Sequence, residues 1–215
     1  MSLQPADGTV PASRRRAAAR FTLIELLVVI TIIAVLASFL MPALALAKER
    51  TNQEVCLNNL KQWSSALQMY VHDWDEYIPL AMWDNVPSRA WCAKLGPYVD
   101  PKVVDQGSSP PGTVGKCPSH RNCPWGPNYI SYGWNTDAFG MYFNVAKRLP
   151  RVAPDTLVCG DNKDSFWLNR AKTIVRQQSG LDFRHPGGTN VFFIDGHAQT
   201  FTDTPPFKYW TVTAD

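Results

Sequence analysis

The sequence predicts an α+β protein: one long N-terminal helix, membrane-spanning at its start, packed on a C-terminal head built around an antiparallel β-sheet. Three observations lead there. Residues 21 to 40, FTLIELLVVITIIAVLASFL, form an apolar run broken by a single charge, Glu25. A run of that length crosses a bilayer as a helix. Helical periodicity then continues to about residue 73, and from about residue 129 short apolar or alternating segments between turn residues replace it.

The elements follow in order. Residues 1 to 20 form a polar leader with Pro5 and Pro11, ending in Arg14, Arg15, Arg16 and Arg20. Cations on this flank predict a single pass with the N-terminus in the cytoplasm and everything after about residue 40 outside it. Pro42 introduces a kink of the kind that membrane helices tolerate. Beyond it, Cys56, Leu60, Trp63, Leu67 and Tyr70 recur at helical spacing and lie on one face, a stripe suited to covering a globular domain. Pro79 requires the helix to stop between Asp73 and Tyr77. The division is therefore a leader over 1–20, a helix over 21–73 (in the membrane over 21–42, then amphipathic), and a head over 74–215.

Within the head, SRAWCAKLGPYV predicts a short helix ended by Gly96 and Pro97. YISYGW, TLVCG and TNVFFIDGHAQTFT predict strands. In the last of these, Asp195-Gly196 suits a two-residue type I′ hairpin turn. FKYWTVT adds a terminal strand.

Composition narrows the function. The net charge of +3 over 215 residues comes largely from the leader, and no Lys/Arg stripe follows, so no nucleic-acid partner is expected. Eight tryptophans, with Pro and Gly frequent after residue 78, suit a loop-rich exported domain. Five cysteines, Cys56, Cys92, Cys117, Cys123 and Cys159, leave at least one unpaired within the chain. Sequence spacing does not choose among the pairings. CPSHRNCP offers a short loop closed by Cys117 and Cys123, or a partial zinc pattern through His120. An oxidising compartment favours the bridge or a plain loop.

The residues with chemical potential are Asp161, His185, Asn190, Asp195 and His197. His185, Asp195 and His197 together offer three donors to a divalent metal. In the plainer arrangement Asp195 and Gly196 make a turn, and His185 is a loop residue hydrogen-bonded to a carbonyl or to Asp195. No cofactor beyond such a cation is expected. No nucleophile-elbow, zinc-protease, P-loop or dinucleotide pattern is present, so no catalytic residue is assigned and no enzymatic activity is expected. Cys159 reads as core, and the scattered tryptophans read as core anchors rather than a sugar platform.

FTLIELLVVITIIAVLA resembles the N-terminal segment of type IV prepilins and type II secretion pseudopilins. CLNNLKQWSSALQMYVHDWDEYIP, KCPSH, SYGWN and RHPGGTNVFFIDGHAQ resemble the prepilin-like proteins with an H-x9-DG domain, with His185 and Asp195-Gly196 in its positions. The resemblance implies a pilin-like fold and a structural subunit in the inner membrane. It further implies cleavage by prepilin peptidase between Arg20 and Phe21, methylation of the Phe21 amine, and assembly with other pilin-like subunits through the N-terminal helix. Arg20 stands where those substrates usually carry glycine. Glu25 would take the amine of a neighbouring copy as its partner, which fixes axial register because both charges are relieved only on assembly. Two other arrangements remain. The helix can serve as a plain anchor for an exported binding protein that recognises polysaccharide or metal. Alternatively, ALALA after Pro42 can serve signal peptidase and release the head at Leu46 or Lys48.

Overall fold

The computed structural model describes residues 22–81, 90–99, 112–121, 129–139, 148–163, 167–168, 170 and 180–211. The leader, with Arg20 and Phe21, lies outside them, as does Cys123. The chain divides into two compact units, Met1–Leu44 and Ala45–Asp215.

Helix α1, Leu23–Asp73, is continuous for 51 residues and passes through Pro42 without a break. In the first unit every described side chain is exposed, including the Leu, Ile and Val residues from Leu23 to Leu44. This is the one described helix long and apolar enough to cross a membrane. Its start is capped from within. The Thr22 amide and hydroxyl both donate to Glu25 Oε2, at 2.8 and 2.7 Å, and the Glu25 amide donates back to Thr22 Oγ1 at 3.3 Å. That reciprocal arrangement is a capping box, which satisfies backbone amides that no helical carbonyl can reach.

In the second unit the expected stripe is buried: Cys56, Leu60, Trp63, Leu67 and Tyr70, joined by Asn59, Ser64, Ala66 and Val71. The helix ends at Asp73, where Asp75 and Glu76 take left-handed backbone angles and the Glu76 amide returns to the Val71 carbonyl. Helix α2 spans Trp91–Val99. It does not end at Gly96 and Pro97 as expected, because buried Trp91, Cys92 and Leu95 and the Tyr98 hydroxyl on Asp73 hold the turn together. Tertiary packing outweighs the local helix-breaking preference.

Strands β1 (Tyr132–Asn135), β2 (Leu157–Asp161), β3 (Trp167–Leu168), β4 (Thr189–Phe193) and β5 (Ala198–Phe201) form one sheet in the order β3-β1-β2-β4-β5. Pairings β1–β2, β2–β4 and β4–β5 are antiparallel. The sheet is not wholly antiparallel, however. Edge strand β3 reverses direction after β2 and so runs parallel to β1. Side chains alternate across β4: Phe192 joins the core shared with α1 and α2, while Val191 and Phe193 join a second cluster with Leu157, Leu168, Leu181 and Trp210. Trp63, Trp91 and Trp134 meet in series from α1 through α2 to β1: Trp63 is edge-to-face with Trp91 at 5.0 Å, and Trp91 stacks on Trp134 at 5.2 Å. β1 is buried along its whole length instead of alternating: Tyr132 and Trp134 join the core beside α1, and Gly133 faces Asn162 and Leu168.

The β4–β5 connection is not the two-residue type I′ turn. Gly196 N–H donates to the Phe193 carbonyl and Phe193 N–H to the His197 carbonyl, which leaves three loop residues. Gly196 alone among them has positive φ, +99°, so the geometry is a type I turn closed by a glycine bulge. The expected terminal strand is replaced by a 3-10 turn at Phe207–Tyr209, and Trp210 after it plugs the second cluster.

Asn135 holds the end of β1. Its amide nitrogen donates to the carbonyls of Leu157 and Trp210, and its oxygen accepts the amides of Asp137 and Ala138 at the start of helix α3, Thr136–Phe139. Asn135→Ala leaves these buried groups unanswered and removes the cap, so it should cost about 3 kcal/mol or more. The denaturant midpoint of a fragment beginning at Ala45 measures this.

Candidate functional site

The polar centre of the head lies between α1 and the sheet. Along β2, Cys159 and Asp161 are two residues apart and share a face; on β4, Asn190 and Phe192 do the same. Phe192 and Cys159 belong to the core of α1, so Asp161 and Asn190 are turned toward the helix as well. Asp161 is fully buried. Its Oδ2 accepts the Asn190 amide at 2.8 Å and lies 3.3 Å from His185 Nε2. The same imidazole nitrogen is 3.6 Å from Cys117 Sγ, and Cys117 is joined by a disulfide to Cys56 on α1. Donor atoms of Cys56, Cys117, Asp161 and His185 all lie within 4.8 Å of one another, and all four residues are buried. Among the described residues this is the one group of three or more such donors gathered so closely, with its two sulfurs bonded to each other.

A ring of further bonds fixes them. His185 closes a turn with Gly188 through two backbone hydrogen bonds. Gly188 has φ +115°, and a Cβ there would run into the Phe201 carbonyl, so this position requires glycine. The Gln53 side chain accepts the Gly187 amide and donates to Thr200, whose hydroxyl donates to Asn190 Oδ1. Asn59 donates to the Tyr132 hydroxyl and to the Lys116 carbonyl. Burial, then the Asp161 charge, pushes the Tyr132 hydroxyl far above its ordinary range. Arg184 bonds to Asp182 and to the carbonyls of Ser131 and Asn162. At the rim, Ser119 and Arg121 both reach Glu49 of α1, and the Ser119 hydrogen bond lowers the Glu49 pKa.

The anticipated residues divide between places. His185 is in the buried cluster with Asp161 and Asn190, and its partners are Asp161 and Cys117 rather than a carbonyl or Asp195. Asp195 and His197 are on the β4–β5 turn, where His197 Nδ1 meets Asp195 Oδ1 at 2.6 Å and the imidazole stacks on Phe193 at 4.3 Å. Both are substantially exposed, and neither belongs to the donor group around His185. Cys117 bridges to Cys56 across 61 residues, not to nearby Cys123. Glu25 is exposed and held by Thr22. Cys159 is buried, and desolvation followed by the Asp161 charge raises its thiol well above the ordinary value, as suits a core thiol rather than a nucleophile. Sequence reasoning missed Cys56 as a site residue because it also fits the apolar stripe.

His120, the centre of the C-x2-H-x2-C pattern, is engaged elsewhere. Its Nε2 faces the Lys163 carbonyl and its Nδ1 the Ser131 hydroxyl, each at 3.0 Å. A carbonyl only accepts, so Nε2 carries the proton and Nδ1 accepts from Ser131. No family model, curated protein or solved structure matches this chain.

Burial, aided by the Arg184 charge, lowers the His120 pKa to about 3. As pH falls from about 6.5 to about 3, the unfolded chain binds a proton that the folded one refuses, so stability is full above that window and declines through it. His120→Gln should flatten the pH dependence of the urea midpoint between about pH 6.5 and 4 relative to the parent protein.

Proposed function

We propose that the chain is a structural pilin-like subunit, a pseudopilin of a type II secretion or type IV pilus-like assembly, anchored in the inner membrane through α1. One observation carries this: a single helix has no buried side chain from Leu23 to Lys48 and then, from Cys56, supplies core to an α+β head. An exposed stretch of Leu, Ile and Val that long demands lipid or other apolar helices around it. A subunit that is first stored in a bilayer and then packed against its copies meets both environments in turn.

Glu25 gives the packing its register. A carboxylate near one end of a lipid-facing helix is costly, and the Thr22 cap supplies hydrogen bonds but no countercharge. The amine of processed Phe21 on a neighbouring subunit supplies that charge, so the energetic gain comes at one axial offset. Prepilin peptidase, cutting after Arg20, is the partner that liberates this amine, and the arginines before it hold the leader in the cytoplasm.

A second reading has its own support. Buried residues begin at Cys56, so signal-peptidase cleavage after Ala45 or Ala47 would release an exported binding domain with its core intact. Mass spectrometry of the mature N-terminus separates the cases: methylated Phe21 is the expected result, Leu46 or Lys48 indicates release, and an intact leader indicates a plain anchor. Glu25→Ala should reduce incorporation into filaments at least about tenfold, the equivalent of roughly 1.4 kcal/mol, with the head still folded. Undiminished assembly would overturn the filament reading.

A further inference from the structure

We infer that Cys56, Cys117, Asp161 and His185 form a zinc-type metal site in the dithiol state of the protein, and that metal binding and the Cys56–Cys117 disulfide are mutually exclusive states of one site. This is a different set from the Asp195–His197 turn, and it stands whether or not the chain enters a filament.

The donor chemistry fits. Two thiolates, one imidazole and one carboxylate are ligands that a borderline-soft divalent cation takes in a closed tetrahedral site. The spacing fits too. With Zn–S of about 2.3 Å and Zn–N or Zn–O of about 2.0 Å, neighbouring donors sit about 3.3 to 3.7 Å apart. Cys117 Sγ to His185 Nε2 is 3.6 Å, and His185 Nε2 to Asp161 Oδ2 is 3.3 Å. The four donors come from α1, the 112–121 loop, β2 and the turn before β4, so only the folded head assembles them.

The surroundings supply what a disulfide does not use. Among the described residues, Asp161 Oδ1 and His185 Nδ1 are buried without a hydrogen-bond partner. A disulfide brings no positive charge to a carboxylate fully removed from water, whereas a divalent cation brings two. The Asn190 amide on Asp161 Oδ2 orients that carboxylate, as outer contacts commonly orient metal ligands. The paired backbone hydrogen bonds between His185 and Gly188 fix the main chain from which the imidazole projects.

The interconversion balances. A dithiol reductant attacks the Cys56–Cys117 bond, becomes a disulfide itself, and delivers two electrons and two protons to give two thiols. Zinc entry then displaces both thiol protons. Reoxidation by a disulfide-class oxidant removes two electrons from the thiolates, re-forms the S–S bond and expels the metal.

The test uses the full chain in detergent, reduced by a phosphine under anaerobic conditions and titrated with Co2+ as a visible probe and then Zn2+. The expected result is one metal per chain with the thiolate charge-transfer and strong ligand-field bands of tetrahedral cobalt, absent from the disulfide form. Both signals should be lost at stoichiometric metal in His185→Gln and in Asp161→Asn. If reduction unfolds the chain, added zinc should restore the near-ultraviolet circular dichroism of the native head. A reduced, folded chain that takes up no metal overturns the inference. So does an unfolded one that zinc fails to restore, or unchanged uptake in the Cys56→Ser/Cys117→Ser double variant.

Discussion

A carboxylate shut away from water sets the terms for the middle of the head. Asp161 has no exposed surface, so only protein groups surround its carboxyl, and they come from several segments at once. β4 gives the Asn190 amide, the turn preceding it gives His185, and the Cys56–Cys117 sulfurs bring α1 and the 112–121 loop alongside. α1, that loop and β2 are far apart in sequence. The position of each is justified mainly by the others, which is the condition under which a buried polar cluster specifies one arrangement rather than loosening the core.

Helix α1 shows the same economy. From Leu23 to Leu46 it exposes almost nothing but hydrocarbon. Beyond Lys48 it supplies both Trp63, the first of the three packed tryptophans, and the polar tethers Gln53, Asn59 and Gln68, which reach strand and loop atoms. The hydrophobic stripe gives burial and the amides give direction. A helix with only the stripe would be free to slide or rotate on the sheet, since apolar contact is not directional.

Much of this was legible in the residues themselves, and the exceptions share a cause. The end of α1, its buried stripe, and strands β2, β4 and β5 all follow from local periodicity and turn residues. What failed was decided by distant partners. Gly96 and Pro97 lie within a helix because Trp91 and Leu95 are anchored elsewhere. Asp195-Gly196 belongs to a three-residue turn because Asp195 does not adopt the positive φ that a type I′ turn requires. Phe207–Tyr209 coils because Trp210 is drawn into the second cluster. In the site, His185, Asp161 and Asn190 were recognisable by type. Their grouping was not, since only the sheet order brings Asp161 beside a turn much later in the chain and beside cysteines 61 positions apart.

The Cys56–Cys117 link has one more effect on the molecule as a covalent object. It turns α1 from Cys56 to its end, all of α2 and the chain on to Cys117 into a closed ring. A protease that nicks the backbone once anywhere from residue 57 to 116 would not yield two separable pieces. The product would migrate as a single species until reductant opened the ring, so an unreduced gel would hide the cut that a reduced one reveals.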